Sequence, residues 1–182
     1  MTGRNTFRIV LSAAEAIVLD GWLRREVIAR RCANLSSACA HAAEPVALHA
    51  LAASLQATPG TAGGRSMLRA AREMLAPEET EIIVDLLGHE DDPPLPDACP
   101  PERDERFDLA RPETLVLFEF LCREVDEQKG RNLSHALVVV GEFWALNSLQ
   151  NVLEPGDFYS ASRDYQLQLD DARSLILKRN SP

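Results

Sequence analysis

At 182 residues, with 46% hydrophobic side chains and only 5% aromatic ones, the chain is long enough for one domain or two small ones and leans toward helix. Its net charge of −9 disfavours a nucleic-acid partner, and no apolar run reaches the roughly 18 residues a membrane-spanning helix needs. The cysteines, Cys32, Cys39, Cys99 and Cys122, show no paired spacing, which points to reduced thiols in a cytoplasmic protein.

Near the N-terminus Arg4 and Arg8 precede an apolar stretch that Glu15 and Asp20 interrupt, so no secretory leader is expected. A first helix is predicted from Ser12 to Arg31. Ser12 with Glu15 makes a capping box at its start, and Ile17, Val18, Leu19, Trp22, Leu23 and Val27 form a broad apolar face. Asn34-Leu35-Ser36 is predicted to cap a second helix, whose Ala47, Leu48, Leu51 and Leu55 fall on one face. After the Pro59-Gly60 break a third helix carries Leu68, Ala71, Arg72 and Met74. An extra helix is expected from Pro77 to Leu87, followed by an acidic, proline-rich linker over 89–106.

The remainder repeats this plan. Residues 11–55 and 109–153 align without a gap at an offset of 98, with 17 identities in 45 positions. Arg25-Glu26-Val27 matches Arg123-Glu124-Val125, and Asn34-Leu35-Ser36 matches Asn132-Leu133-Ser134. Glu44 and the leucines of the second helix match Glu142, Leu146, Leu149 and Leu153. Pro112 lies in the first turn of the repeated first helix, Pro155-Gly156 repeats the break, and Leu169, Ala172, Arg173 and Leu175 echo the third helix. The period exceeds the roughly 20–50 residues of solenoid repeats, which favours duplication of a small domain.

The expected fold is therefore all-α, a tandem duplication of a small three-helix unit whose two bundles pack together with pseudo-twofold symmetry. Residues 7–88 form the first repeat with its extra helix, 89–106 the linker and 107–178 the second repeat.

Ionisable groups kept in both copies are the first candidates for chemistry. Glu44 and Glu142 could serve as general bases with Arg25 and Arg123 orienting an anion. Buried ion pairs between first and second helices explain the same four residues structurally, and a small duplication more readily preserves a folding contact than two active sites. His41 with Cys39 and Cys32 has no counterpart in the second copy, where Val139, Leu137 and Gly130 stand, so no metal or cofactor is expected. His89 beside Glu90, Asp91 and Asp92 reads as exposed linker. Gly60 to Ser66 lacks the lysine and glycine spacing of a phosphate loop, and no nucleophile or zinc motif occurs. Arg24, Arg25, Arg30 and Arg31 could meet phosphates, but no aromatic residues interleave with them.

Charge is segregated along the chain. Residues 1–76 carry a net +4 and residues 109–182 a net −3, whereas 77–108 hold twelve acidic and two basic groups. Glu78, Glu79, Glu81, Asp85, Glu90, Asp91 and Asp92 are accordingly the expected contacts for a basic protein partner.

The second copy, through Glu113-Thr-Leu-Val-Leu-Phe-Glu-Phe-Leu121, the Glu142 to Glu154 leucine pattern and Ala172-Arg173, resembles a family of small single-copy bacterial helical proteins with no named activity. That resemblance implies a compact helical bundle of bacterial origin and supplies no catalytic residue. Together these readings predict a non-enzymatic protein-binding module, in its most concrete form an immunity- or antitoxin-like neutraliser. A self-associating scaffold, such as a homodimer in a larger assembly, is the alternative, and an enzyme using the Glu/Arg pairs is third.

Overall fold

The computed structural model describes residues 6–58, 65–76, 99–154 and 164–180. Among them, secondary structure comes in two runs of the same order. The first is β1 (Thr6–Ser12), α1 (Ala13–Leu23), α2 (Ala43–Gln56) and α3 (Arg65–Leu75). The second is β2 (Asp104–Ala110), α4 (Arg111–Leu121), α5 (Val140–Leu153) and α6 (Asp164–Asn180). The chain is mostly helical, as expected, and the strands are the departure from an all-α fold. The expected helix at 77–87, the two Pro-Gly breaks and linker positions 89–98 lie outside the described residues.

β1 and β2 pair antiparallel, with Thr6 opposite Ala110 and Ser12 opposite Asp104. Ile9 consequently faces Phe107, its own counterpart 98 positions on. Inward residues Ile9 and Leu11 meet Phe107 and Leu109 in the core, while Arg8 and Asp108 pair on the exposed face at 3.0 Å. Phe7-x-Ile9-x-Leu11 is a period-two pattern. A helical reading passes over it because the strand runs into the helix cap with no turn between. β2 also takes in Asp104, Glu105 and Arg106, the last residues of the stretch expected to be linker.

The capping box forms. The Glu15 amide donates to Ser12 Oγ at 3.3 Å, and the Ser12 amide donates to Glu15 Oε2 at 2.8 Å. α-Helical bonding ends at Leu23, short of the expected Arg31, and a π turn follows over Arg24–Ala29. Its counterpart is Cys122–Glu127. Bonding from i to i+5 widens the turn, so consecutive side chains spread less around the axis. Arg25, Glu26 and Val27 can then all turn toward the interior, and Glu26 and Val27 are both fully buried. Each π turn closes through left-handed residues, Arg31 and Cys32 in one half, Lys129 and Gly130 in the other.

Asn-Leu-Ser does not cap the second helix. It forms a short 3-10 turn whose leucine, Leu35 or Leu133, is buried, and α2 begins only at Ala43 without a side-chain cap. Asn34 instead donates to Glu26 Oε2 at 3.0 Å.

α1 is buried on nearly every side, which makes it a central helix. The two runs do not form separate bundles with a contact face between them. α2 packs on α4 and α6 as well as α1, and α5 packs on α1 and α3 as well as α4. Leu48, Leu51 and Leu55 thus share one continuous core with Leu146, Leu149 and Leu153. No helix of the described residues is long and apolar enough to cross a membrane.

Candidate functional site

Arg25, Arg123, Glu44 and Glu142, matched between the copies, meet at two places, and each pair joins the halves. Arg25, on the first π turn, grips the buried carboxylate of Glu142 at the start of α5 with two bonds of 2.6 and 2.8 Å. Arg123, on the second π turn, grips Glu44 of α2 with two bonds of 3.0 Å. Each arginine also donates to a carbonyl of the opposite half, Arg25 to Ala136 O at 2.8 Å and Arg123 to Ala38 O at 2.7 Å. Each further donates to the adjacent glutamate, Arg25 to Glu26 at 2.6 Å and Arg123 to Glu124 at 2.8 Å. Backbone amides complete the cradle: Val138 donates to Glu142 at 2.9 Å and Ala40 to Glu44 at 2.8 Å.

The electrostatics follow from this geometry. Burial alone would lower the pKa of Arg25, but the hydrogen bonds and charges of Glu142 and Glu26 outweigh it and the net shift is upward. Arg123 is raised in the same way against its own burial by Glu44 and Glu124. Guanidinium and amide donors occupy both oxygens of each carboxylate, an arrangement suited to docking helices.

Two further members join the frame. Arg72 of α3 adds a bond to Glu142 at 2.5 Å, and the Trp22 indole donates to Ala136 O at 3.0 Å. Sequence reasoning left Arg72 outside the set, although Ala71-Arg72 repeats as Ala172-Arg173. Glu26 and Glu124 were visible in the kept Arg-Glu-Val triplet. At the position of Trp22 the second half has Phe120, whose ring lies 5.7 Å from the Arg123 guanidinium carbon.

The other expected sites are placed as follows. Glu78, Glu79, Glu81, Asp85, Glu90, Asp91 and Asp92 lie outside the described residues. Of the arginine cluster, Arg24 pairs with Asp20 at 2.6 Å and Arg30 with Glu26 at 2.7 Å, so much of its charge is already matched. Burial raises the pKa of Asp20 even though Arg24 opposes the shift. His41 accepts the Ala43 amide at Nδ1, 3.1 Å away, at the start of α2. Burial pushes the neighbouring Cys39 thiol up to about 12, with the Glu44 charge adding to the shift. Among the described residues no group of three or more His, Cys, Asp or Glu is placed to hold a metal ion.

A second acidic concentration, missed in the sequence, surrounds Cys122 where α4 meets α5. Burial first, then the charges of Asp126, Glu119, Glu154 and Glu127, push that thiol up to about 12. Buried Gln150 donates to Asp126, and Tyr165 donates to Glu119 at 2.7 Å. The signal was the spacing of Glu119, Cys122, Asp126 and Glu127 along one helical face. The matching positions of the first half hold Gly21, Arg24, Ile28 and Ala29, so the patch belongs to one half alone.

Comparison with protein-family models, with curated proteins and with solved structures gives no match for this chain.

Proposed function

We propose that the chain is a non-enzymatic protein-binding module, built by tandem duplication and folded as a pseudo-twofold pair within one polypeptide. The crossed Arg25–Glu142 and Arg123–Glu44 contacts carry this reading. They commit the Arg/Glu set common to both halves to docking, and function then falls to what the halves do not share. Pairing of Ile9 with its counterpart Phe107 supports the twofold relation, since equivalent residues meet each other only beside such an axis.

What is not shared is mainly negative charge. Residues 77–108 hold twelve acidic groups, and exposed Asp126, Glu127 and Glu154 add a second concentration beside Cys122. A basic protein partner is the complement, and the concrete form is a cytoplasmic immunity- or antitoxin-like neutraliser. The test is capture from the native host with the full chain at low ionic strength, followed by a salt gradient. Basic proteins should elute as screening shortens the reach of charge, and retention indifferent to salt would sink the electrostatic part.

A self-associating scaffold is the second reading. Met74 and Leu175 stand at matching positions of α3 and α6, and both are exposed. Sedimentation across a concentration series separates the two, because a neutraliser need not self-associate.

A further inference from the structure

We infer that two copies of this chain exchange halves. The first half of one copy docks on the second half of the other, giving a closed dimer that makes every contact of the monomer twice. The inference rests on the paired-halves reading above and adds a partner, a second copy of the chain.

Three observations carry it. Neither half closes a core by itself, because α2 rests on α4 and α6 while α5 rests on α1 and α3. The central polar contacts between halves are reciprocal, Arg25 on Glu142 and Arg123 on Glu44, with β1 on β2. Any matching half therefore satisfies them equally well. Finally, 28 residues of chain, 76–103, separate α3 from β2, a length that at about 3.3 Å per residue lets one half reach a second copy.

Because the contacts of exchanged and unexchanged forms are the same, their energies cancel and the tether decides. Tethering gives each half a finite effective concentration of its mate, which favours the monomer in dilute solution. Exchange grows as chain concentration approaches that value during folding. A formed dimer then persists on dilution, since separating it requires opening the shared core. It would carry two complete sets of the partner-binding features of the monomer, side by side.

Cysteine trapping tests the exchange on the full chain. Arg8 and Asp108 face each other across the strands on the exposed surface, so Arg8→Cys and Asp108→Cys leave the core untouched. One chain carrying Arg8→Cys and another carrying Asp108→Cys are unfolded together, refolded at rising concentration and oxidised with glutathione disulfide. Peptide mapping then locates the bonds. A disulfide between positions 8 and 108 of different chains is expected. The dimer-to-monomer ratio should rise about tenfold for each tenfold increase in concentration while monomer dominates. Failure to find that bond at any concentration overturns the exchange, provided a single chain carrying both substitutions links internally. If that doubly substituted chain does not link either, the pairing of the halves itself is wrong and the exchange falls with it.

Discussion

Glu142 and Glu44 stand at matching positions of the two halves, but Glu142 is held by two arginines and Glu44 by one. The difference traces to one methyl group. At Gly141 a Cβ would lie 2.5 Å from the Arg72 carbonyl oxygen and 3.0 Å from its Cα, so α3 can approach α5 only because no side chain is there. The matching position is Ala43, and Arg173, the counterpart of Arg72, pairs with Asp170 of its own helix at 3.5 Å. Identical chemistry is thus tuned by how near a third helix can come. The same drift shows at the helix starts. Ser12 and Glu15 close a capping box, whereas Glu113, the counterpart of Glu15, has Ala110 in place of the serine and lies 3.7 Å from Arg179.

Removing Glu142 should have the largest effect. Glu142→Ala leaves Arg25 and Arg72 without their shared anion and should destabilise by about 3–5 kcal/mol in urea unfolding. Glu44→Ala strands only Arg123 and should cost about 1–2 kcal/mol less, by the charge-assisted bond Glu44 does not make. Equal losses would show that Arg72 contributes nothing. Next in size is Gly141→Ala, where backbone meets backbone and about 1–3 kcal/mol should be lost. At Gly21 the Cβ would meet only the Leu68 side chain at 2.8 Å, which can turn aside, so Gly21→Ala should be close to neutral. A smaller contrast separates the helix starts: Ser12→Ala should cost about 1 kcal/mol. Glu113→Ala removes a largely buried carboxylate that makes only a long contact to Arg179 and leaves Oε2 without a partner, so it should cost less than Ser12→Ala.

Thiol labelling sharpens the comparison without touching stability. Burial and carboxylate charge hold Cys39 and Cys122 at about 12, so little thiolate exists at pH 8, whereas Cys99 is exposed. Iodoacetamide should modify Cys99 first and the other two on the order of a hundredfold more slowly. Comparable rates at Cys99 and Cys122 would mean that the acidic corner between α4 and α5 opens freely.

The repeat made the helical class, the core leucines and the four frame residues legible, because burial constrains those positions in the same way twice. The strands were legible in principle from Phe7, Ile9 and Leu11, but a seven-residue strand running straight into a helix cap has no turn residues to mark it off. The π turns left no signature, since Arg-Glu-Val satisfies an ordinary helix equally well and only the inward demand of three consecutive side chains distinguishes them. The direction of the ion pairs was hidden by the sequence repeat itself. Arg25 has a correctly placed glutamate in its own half, Glu44, and another in the opposite half, Glu142, and nothing in one sequence chooses between them. Shared burial of α2 and α5 chooses, by bringing each against the other half's first helix.

The crossing of those pairs is the central claim, and a double-mutant cycle addresses it directly. Arg25→Met is combined with Glu142→Gln in one cycle and with Glu44→Gln in another, with urea unfolding as the measure. Coupling of about 2–3 kcal/mol is expected between Arg25 and Glu142, and under about 0.5 kcal/mol between Arg25 and Glu44. The reverse order, with Arg25 coupled to Glu44 of its own half, would contradict the crossed frame.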